Sequence, residues 1–307
     1  MMGHIRVKSP WSQLGIFLGL FGGGFIIGSL VMGTIGLMMG MGEGMTNGKL
    51  DWSNPRVLSV MKMIQAVSSI LIFFLPAFVF ALITSYRKPL AFLGLRPAPV
   101  KPMYVLAIVG ILVSFPFVFW LGEINQMLPM PHWMDELERE ATKQMQQFLR
   151  AENTFDVIVN VIIIALLPAI CEEVCFRGAL QRIIIQITKN AWAGIIVTSI
   201  LFSALHLQFE GFLPRMFLGI ILGAFYWFSG SLWTSIFAHF VNNAIQVVVV
   251  SYAPQYVDKN PAVPIYIAIL SGLMIVGILW VFRTSSRVTY NMVYGSDDIV
   301  RNNEFPA

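Results

Sequence analysis

Six polar residues that could hydrolyse a peptide bond lie in segments otherwise made of apolar residues. A charged side chain at the centre of a bilayer costs about 2.5–3.5 kcal/mol on insertion scales, so such residues are expected to face protein or water and to mark a functional site. Two glutamates and an arginine lie in one apolar run, a histidine in the next, and a histidine and an asparagine in a third. They are Glu172, Glu173, Arg177, His206, His239 and Asn243.

The spacing of the three charged residues predicts an ion pair. Glu173 and Arg177 are four residues apart, so they share one face of a helix and can pair. Glu172 lies about 100° away around that helix and has no helical partner of its own. A carboxylate without such a partner can take a proton from water, as a general base does. A buried ion-pair network that only fixes helix register is the alternative interpretation.

Two kinds of peptide hydrolysis fit this set of residues. In the first, Glu172 and His206 polarise a water molecule that attacks the scissile carbonyl, while His239 and Asn243 donate hydrogen bonds to the oxyanion. In the second, Glu172, His206 and His239 hold a divalent metal such as zinc, which activates the water. The metal-free mechanism is favoured, because no HExxH pair places two ligands on one helix.

Other catalytic nucleophiles are weakly supported. The two cysteines, Cys171 and Cys175, are four apart on one presumed helix, where their side chains stack without disulfide geometry. An apolar, acid-rich setting does not support a reactive thiolate. The sequence contains no Gly-x-Ser-x-Gly elbow and no intramembrane pair of aspartates, so serine and aspartyl catalysis are not indicated.

The composition indicates how these residues are positioned. The chain is 57% hydrophobic and only 12% charged, against about 25% charged residues in soluble domains, which excludes a soluble core. Its apolar runs are long enough to cross about 30 Å of hydrocarbon and alternate too little for barrel strands. The predicted fold is an all-α polytopic membrane protein of about eight helices, with the catalytic core in helices four to seven. The segments are 11–40, 57–85, 102–122, 157–187, 191–210, 212–229, 231–252 and 263–283.

The net charge of +4 does not indicate a nucleic-acid partner, because the basic residues lie in short loops where they set topology. The second loop carries only basic charges, at Arg87, Lys88, Arg96 and Lys101, whereas the third loop is rich in acids. Both termini are therefore expected on the cytoplasmic side, in a membrane such as the bacterial inner membrane. The expected partners are membrane lipid and a membrane-associated peptide or protein substrate.

Three further features organise the chain. Residues 131–151 predict an amphipathic helix on the outer surface, where it acts as a cover. Glycine pairs at four-residue spacing, such as Gly219 and Gly223, predict close helix packing. The predicted division is 1–155 for the first three helices with the amphipathic segment, 156–252 for the catalytic core, and 253–307 for the last helix and a polar tail from Thr284.

The three motifs carry a family resemblance. Glu172-Glu173-x-x-x-Arg177, Phe202-x-x-x-His206 and His239-x-x-x-Asn243, in this order on successive hydrophobic segments, resemble the motifs of the CPBP family (CAAX protease/bacteriocin-processing, Abi-like), which includes the type II CAAX prenyl endopeptidases. The resemblance covers roughly residues 155 to 250.

This resemblance implies an intramembrane endopeptidase in which Glu172 and His206 activate water and His239 and Asn243 stabilise the oxyanion. Glu173 and Arg177 would complete the site. The family is described both as metalloprotease and as metal-independent, so zinc stays an alternative. Two other functions also stay open: a non-catalytic membrane scaffold or bacteriocin-immunity protein, and a proton-coupled transporter, since intramembrane Glu, His and Arg also mark ion pathways.

Overall fold

The computed structural model describes residues 9–47, 50–52, 54–85, 87–253 and 260–295, and within these ranges every regular element is a helix. Seven helices are long and apolar enough to cross a membrane, which confirms the predicted all-α polytopic fold of an integral membrane protein. The helices are α1 Pro10–Met38, α2 Gly42–Asn47, α3 Pro55–Thr84, α4 Pro89–Phe92, α5 Pro102–Gln126, α6 His132–Phe148, α7 Thr154–Thr188, α8 Ala191–Ala204, α9 Phe212–Ser229, α10 Leu232–Tyr252, α11 Ile265–Ser285 and α12 290–295.

The eight predicted segments all contain a helix, but the fifth is shorter than the sequence indicates. α8 has 14 residues and ends at Ala204, whereas the apolar run continues to residue 210. Leu207 adopts a left-handed backbone conformation with φ of 54°, which an α-helix does not accommodate. His206 therefore lies in the turn after α8, and its predicted place inside a helix is wrong.

The predicted polar tail is only partly described. α11 continues to Ser285, and the tail then forms the short helix α12. The residues after 295 lie outside the described ranges.

Two of the long helices change their hydrogen bonding just before an internal proline. In α7, Val161–Leu166 forms a π-helical turn in which the N–H of Leu167 donates to the carbonyl of Ile162. Pro168 follows directly, and α3 has the same arrangement before Pro76. Proline lacks an N–H and its ring crowds the carbonyl four residues earlier, and the wider π-helical turn makes room for it. α7 thus continues as one helix of 35 residues.

A serine on α11 satisfies the backbone that a proline frees in α5. Pro116 lies inside α5 and cannot donate a helical hydrogen bond. Ser271 Oγ donates to the carbonyl of Val113 (2.6 Å) and accepts from the N–H of Phe117 (3.3 Å). Backbone groups in lipid need a partner within the protein, so Ser271 both stabilises the proline-containing turn and joins the two helices.

Glycines on α9 bring it close to α7 and α8. The carbonyl of Gly219 accepts a hydrogen bond from Arg177 Nη2 (3.3 Å), and the carbonyl of Gly223 accepts one from Gln181 Nε2 (3.1 Å). A Cβ atom at Gly219 would lie 3.0 Å from Cβ of Ser199. The glycine spacing thus gives the predicted close packing, and it also exposes two carbonyls as acceptors for α7.

The predicted amphipathic helix is present as α6 and lies across one end of the bundle. Glu138 Oε2 accepts a hydrogen bond from the N–H of Phe209 (2.8 Å), and Trp133 meets the Phe209 ring edge-on at 5.8 Å between centroids. Leu149, which follows α6, is buried between α7 and α10. The helix therefore covers the loop that carries His206.

Substitution of Gly223 by alanine is expected to destabilise the α7–α9 contact. The new methyl group would lie 2.6 Å from Gln181 Oε1 and 3.1 Å from Ile195 Cγ2, and such overpacking costs about 1–3 kcal/mol. Thermal unfolding of the detergent-solubilised protein measures the effect. Gly33→Ala is the matched control, since nothing lies within 4 Å of its Cβ position. Equal melting temperatures for the two variants would contradict the proposed contact.

Candidate active site

The centre of the candidate site is an ion pair within α7. Arg177 Nη1 donates to Glu173 Oε1 at 2.6 Å, and neither side chain has any solvent-accessible surface. The pair confirms the prediction made from the four-residue spacing. Because two buried charges need further partners to offset their desolvation, the other contacts of these two side chains determine the geometry of the site.

His239 on α10 is the next partner of Glu173. Its Nδ1 lies 2.9 Å from Glu173 Oε1, and since a carboxylate only accepts, Nδ1 carries the hydrogen. The other ring nitrogen, Nε2, then faces Glu172, with 3.9 Å between Nε2 and Glu172 Oε2. The structure thus brings Glu172, Glu173, Arg177 and His239 together.

Phe202 on α8 packs against this group from a third helix. Its ring lies under the guanidinium carbon of Arg177, 4.6 Å from the centroid. The rings of His206, Phe176 and His239 meet it edge-on, at 4.8, 5.1 and 6.0 Å between centroids. A cation over an aromatic face is attracted by the ring quadrupole. Phe202 therefore fixes Arg177 and both histidines relative to one another.

His206 lies at the exposed side of this group. Its Nδ1 is 2.8 Å from the carbonyl of Phe202, so Nδ1 donates, and Nε2 is the nitrogen that can accept a proton from another partner. Phe202 and His206 contact each other as predicted. Phe202 lies in α8, whereas His206 lies in the loop that follows it. His206 belongs to the same site as His239, because both rings contact Phe202.

Asn243 lies one turn after His239 on α10. Its Oδ1 accepts a hydrogen bond from Asn242 Nδ2 at 3.1 Å, which leaves its own amide N–H groups as donors. Among the described residues, no hydrogen bond joins Asn243 to the two glutamates. Asn242 is buried, whereas Asn243 is half-buried, so Asn242 orients an amide that a substrate could reach.

One cation near the site was missed by the sequence analysis. Arg215, in the first turn of α9, lies within electrostatic range of Glu172 and His206. Its guanidinium donates to the Gln208 carbonyl and to Gln208 Oε1, both at 3.1 Å. In the sequence, Arg215 is a single arginine at the start of an apolar run. Its spacing from the other polar residues does not predict that it lies near α7.

The proposed zinc ligands do not fit a metal centre as they are arranged. Among the described residues, no group of three histidine, cysteine, aspartate or glutamate side chains could hold a metal ion. His206 and His239 each donate from Nδ1 to a protein oxygen and keep Nε2 free, but of the three proposed ligands only Glu172 and His239 are seen to face each other. Cys171 and Cys175 are buried and free.

The fold and this site define a polytopic helical membrane protein with a buried Glu-Arg-His group shared by neighbouring helices. Residues 154–245 match the family model described as "Type II CAAX prenyl endopeptidase Rce1-like". The match confirms the resemblance to the CPBP family, supports a protease of the CAAX type, and covers all three motifs. No curated protein and no solved structure matches the chain.

Removing one partner of the central ion pair is expected to lower the free energy of unfolding more than removing both partners. Arg177→Met leaves the Glu173 carboxylate buried without its cation and should lower the free energy of unfolding by about 3–5 kcal/mol. The double variant Glu173→Gln/Arg177→Met removes both charges. Its new glutamine side chain would still accept a hydrogen bond from His239, so the double variant should recover much of that loss.

The free energies of unfolding of Arg177→Met, of Glu173→Gln and of the double variant, measured by titration with a denaturing detergent, test this coupling. Strictly additive losses would show that the two side chains do not depend on each other.

Proposed function

We propose that this protein is an intramembrane endopeptidase that hydrolyses a membrane-associated peptide or protein with a water molecule activated by Glu172 and His206. The approach of His239 Nε2 to Glu172 Oε2, at 3.9 Å, carries the proposal. At this separation one water molecule can hydrogen-bond to both side chains, with Glu172 as the base and His239 as a donor.

In the proposed reaction, the Glu172 carboxylate takes a proton from water, and the resulting hydroxide attacks the scissile carbonyl carbon. His206, with Nε2 unprotonated, orients the same water. Glu172 then gives its proton to the leaving nitrogen as the C–N bond breaks, so the products are a carboxylic acid and an amine. No covalent intermediate with the protein forms.

The developing oxyanion needs donors that are in place before the reaction. In this proposal His239, when doubly protonated, donates from Nε2, and its other hydrogen stays bonded to Glu173. Asn243 donates from the amide that Asn242 orients. Glu173 and Arg177 touch no reacting atom; they position His239 and hold a balanced charge beside it.

The family match supports a substrate held at the membrane, and the apolar helices around the site agree with this. With α8 taken as a shorter eighth crossing beside the seven long helices, the basic and acidic loops favour both termini on the cytoplasmic side, and a bacterial inner membrane is the simplest such location. The metal-free route is the one proposed because, among the described residues, no three suitable side chains lie together as metal ligands.

Glu172→Gln is expected to abolish cleavage of a membrane-associated peptide panel, because the amide cannot take a proton, while the melting temperature stays near that of the wild type. Glu136→Gln is the control, since it removes a carboxylate from the exposed side of α6. Wild-type activity should persist with a strong chelator present. Cleavage by Glu172→Gln would refute the mechanism, and loss of wild-type activity with chelator would indicate a metal site.

Asn243→Ala is expected to lower kcat by about 10²–10³, the usual effect of removing one oxyanion donor. KM should change little, because the donor acts on charge that develops in the transition state. Gln246→Ala, on the exposed side of the same helix, should leave both constants unchanged. A rise in KM with kcat preserved would assign Asn243 to substrate binding.

A further inference from the structure

A small, partly open cavity, with about 20 Å³ of space for the centre of a water molecule, lies at the other end of α7 from the cover helix, and its lining includes Arg96, Arg182, Tyr226, Trp227 and Tyr294. Arg182 follows Glu172 by ten residues on the same helix, which corresponds to about 15 Å along the axis. The cavity is therefore separate from the candidate active site.

The two arginines of this cavity are held in place by neutral groups. Arg182 lies between the rings of Phe92 and Tyr294, at 4.4 and 5.3 Å from the centroids. Arg96 Nε donates to the carbonyl of Gly230 at 2.9 Å. Among the described residues, no carboxylate lies within ion-pair distance of either guanidinium. Both side chains thus keep N–H donors and a full positive charge for a ligand.

Three parts of the chain must meet to form this cavity. The carbonyl of Gly94 accepts a hydrogen bond from the N–H of Leu232 (2.8 Å), and the Tyr294 hydroxyl donates to the carbonyl of Arg182 (2.8 Å). Gly230 has φ of 67°, a conformation that glycine adopts without strain. Its turn brings its carbonyl to Arg96 between α9 and α10.

The surroundings of the cavity are basic. No acidic residue occurs in the stretches 85–101, 182–192, 228–233 and 283–295 that form this end of the bundle. Such a field attracts anions, and basic pockets between transmembrane helices bind the phosphate of lipid headgroups. Tyr226 and Trp227 supply the aromatic rings that favour the headgroup level of a bilayer. Further basic residues occur in or beside these stretches of the sequence without lining the cavity, namely Arg87, Lys88, Lys101, Lys189, Arg283 and Arg287.

We propose that this cavity binds a phosphate group, that of an anionic phospholipid headgroup, with Arg96 and Arg182 as its two cationic partners. Guanidinium groups present paired N–H donors that match phosphate oxygens. Because the stacking on Phe92 and Tyr294 orders Arg182 in advance, binding costs little side-chain entropy.

The experiment measures retention of phosphatidylglycerol by the full chain in phosphatidylcholine nanodiscs, using native mass spectrometry after release. The variants are Arg96→Gln, Arg182→Gln and their combination. Lys101→Gln and Arg283→Gln are the controls, since each removes one positive charge from the same end without touching the cavity. Each arginine variant should weaken phosphatidylglycerol binding at least about tenfold, and the controls should bind like the wild type.

A second arm separates lipid from soluble phosphate. Inorganic phosphate is added to the lipid-free protein in detergent, and the melting temperature is followed. Phosphate should raise the melting temperature of the wild type but not that of the double variant if the site exists. If this happens and phosphatidylglycerol is not selectively retained, the site binds a free phosphate compound.

Equal losses of phosphatidylglycerol binding in the arginine variants and the controls would overturn the proposal, because such losses would depend only on the total positive charge at this end of the bundle. Unchanged binding in the double variant would overturn it as well. Melting temperatures in pure phosphatidylcholine identify any misfolded variant, and Arg96→Gln, at an exposed position, provides the test if Arg182→Gln misfolds.

Discussion

A charge buried inside a membrane protein has to be balanced, and the Glu173–Arg177 pair imposes this constraint on the helices around it. Neither side chain reaches solvent, so each needs partners from elsewhere in the fold. Arg177 obtains them from the Gly219 carbonyl and the Phe202 ring, and Glu173 from His239. Three helices are thereby held against α7 at one level. The catalytic proposal rests on this arrangement, because His239 is aimed at Glu172 only while Glu173 holds its Nδ1.

The rest of the fold meets the same requirement for backbone groups. Ser271 serves the turn that Pro116 interrupts, and the glycines of α9 offer carbonyls to α7. In lipid these contacts replace those that water supplies to a soluble protein. Polar contacts between helices are consequently concentrated at positions where a proline, a glycine or a charge disturbs the regular helix. Between those positions the helices present apolar surface to one another and to lipid.

The sequence was sufficient for features that depend on local spacing. The ion pair and the amphipathic α6 follow from residues three or four apart on one helix. It was insufficient where the backbone leaves the helix. The apolar run through 210 gave no sign that Leu207 would turn left-handed and place His206 in a loop. Contacts between segments far apart in the sequence could not be predicted either. Arg215 lies near Glu172, and Arg96 lies beside Arg182, only because loops distant in sequence fold back onto α7.

The π-helical turn at Val161–Leu166 has a consequence for how such a site can evolve. A π-helical turn holds one more residue than an α-helical turn, so it takes up an extra residue that would rotate everything after it by about 100° in a regular α-helix. In α7 the two glutamates and the arginine come after the turn, whereas the helix start is fixed by the Asn153 cap. A single-residue insertion into a regular α-helix would redirect that polar face to a different neighbouring helix, whereas a change between an α-helical and a π-helical turn at this place keeps its direction. The turn therefore allows the part of α7 before it to gain or lose a residue while the catalytic side chains keep their direction.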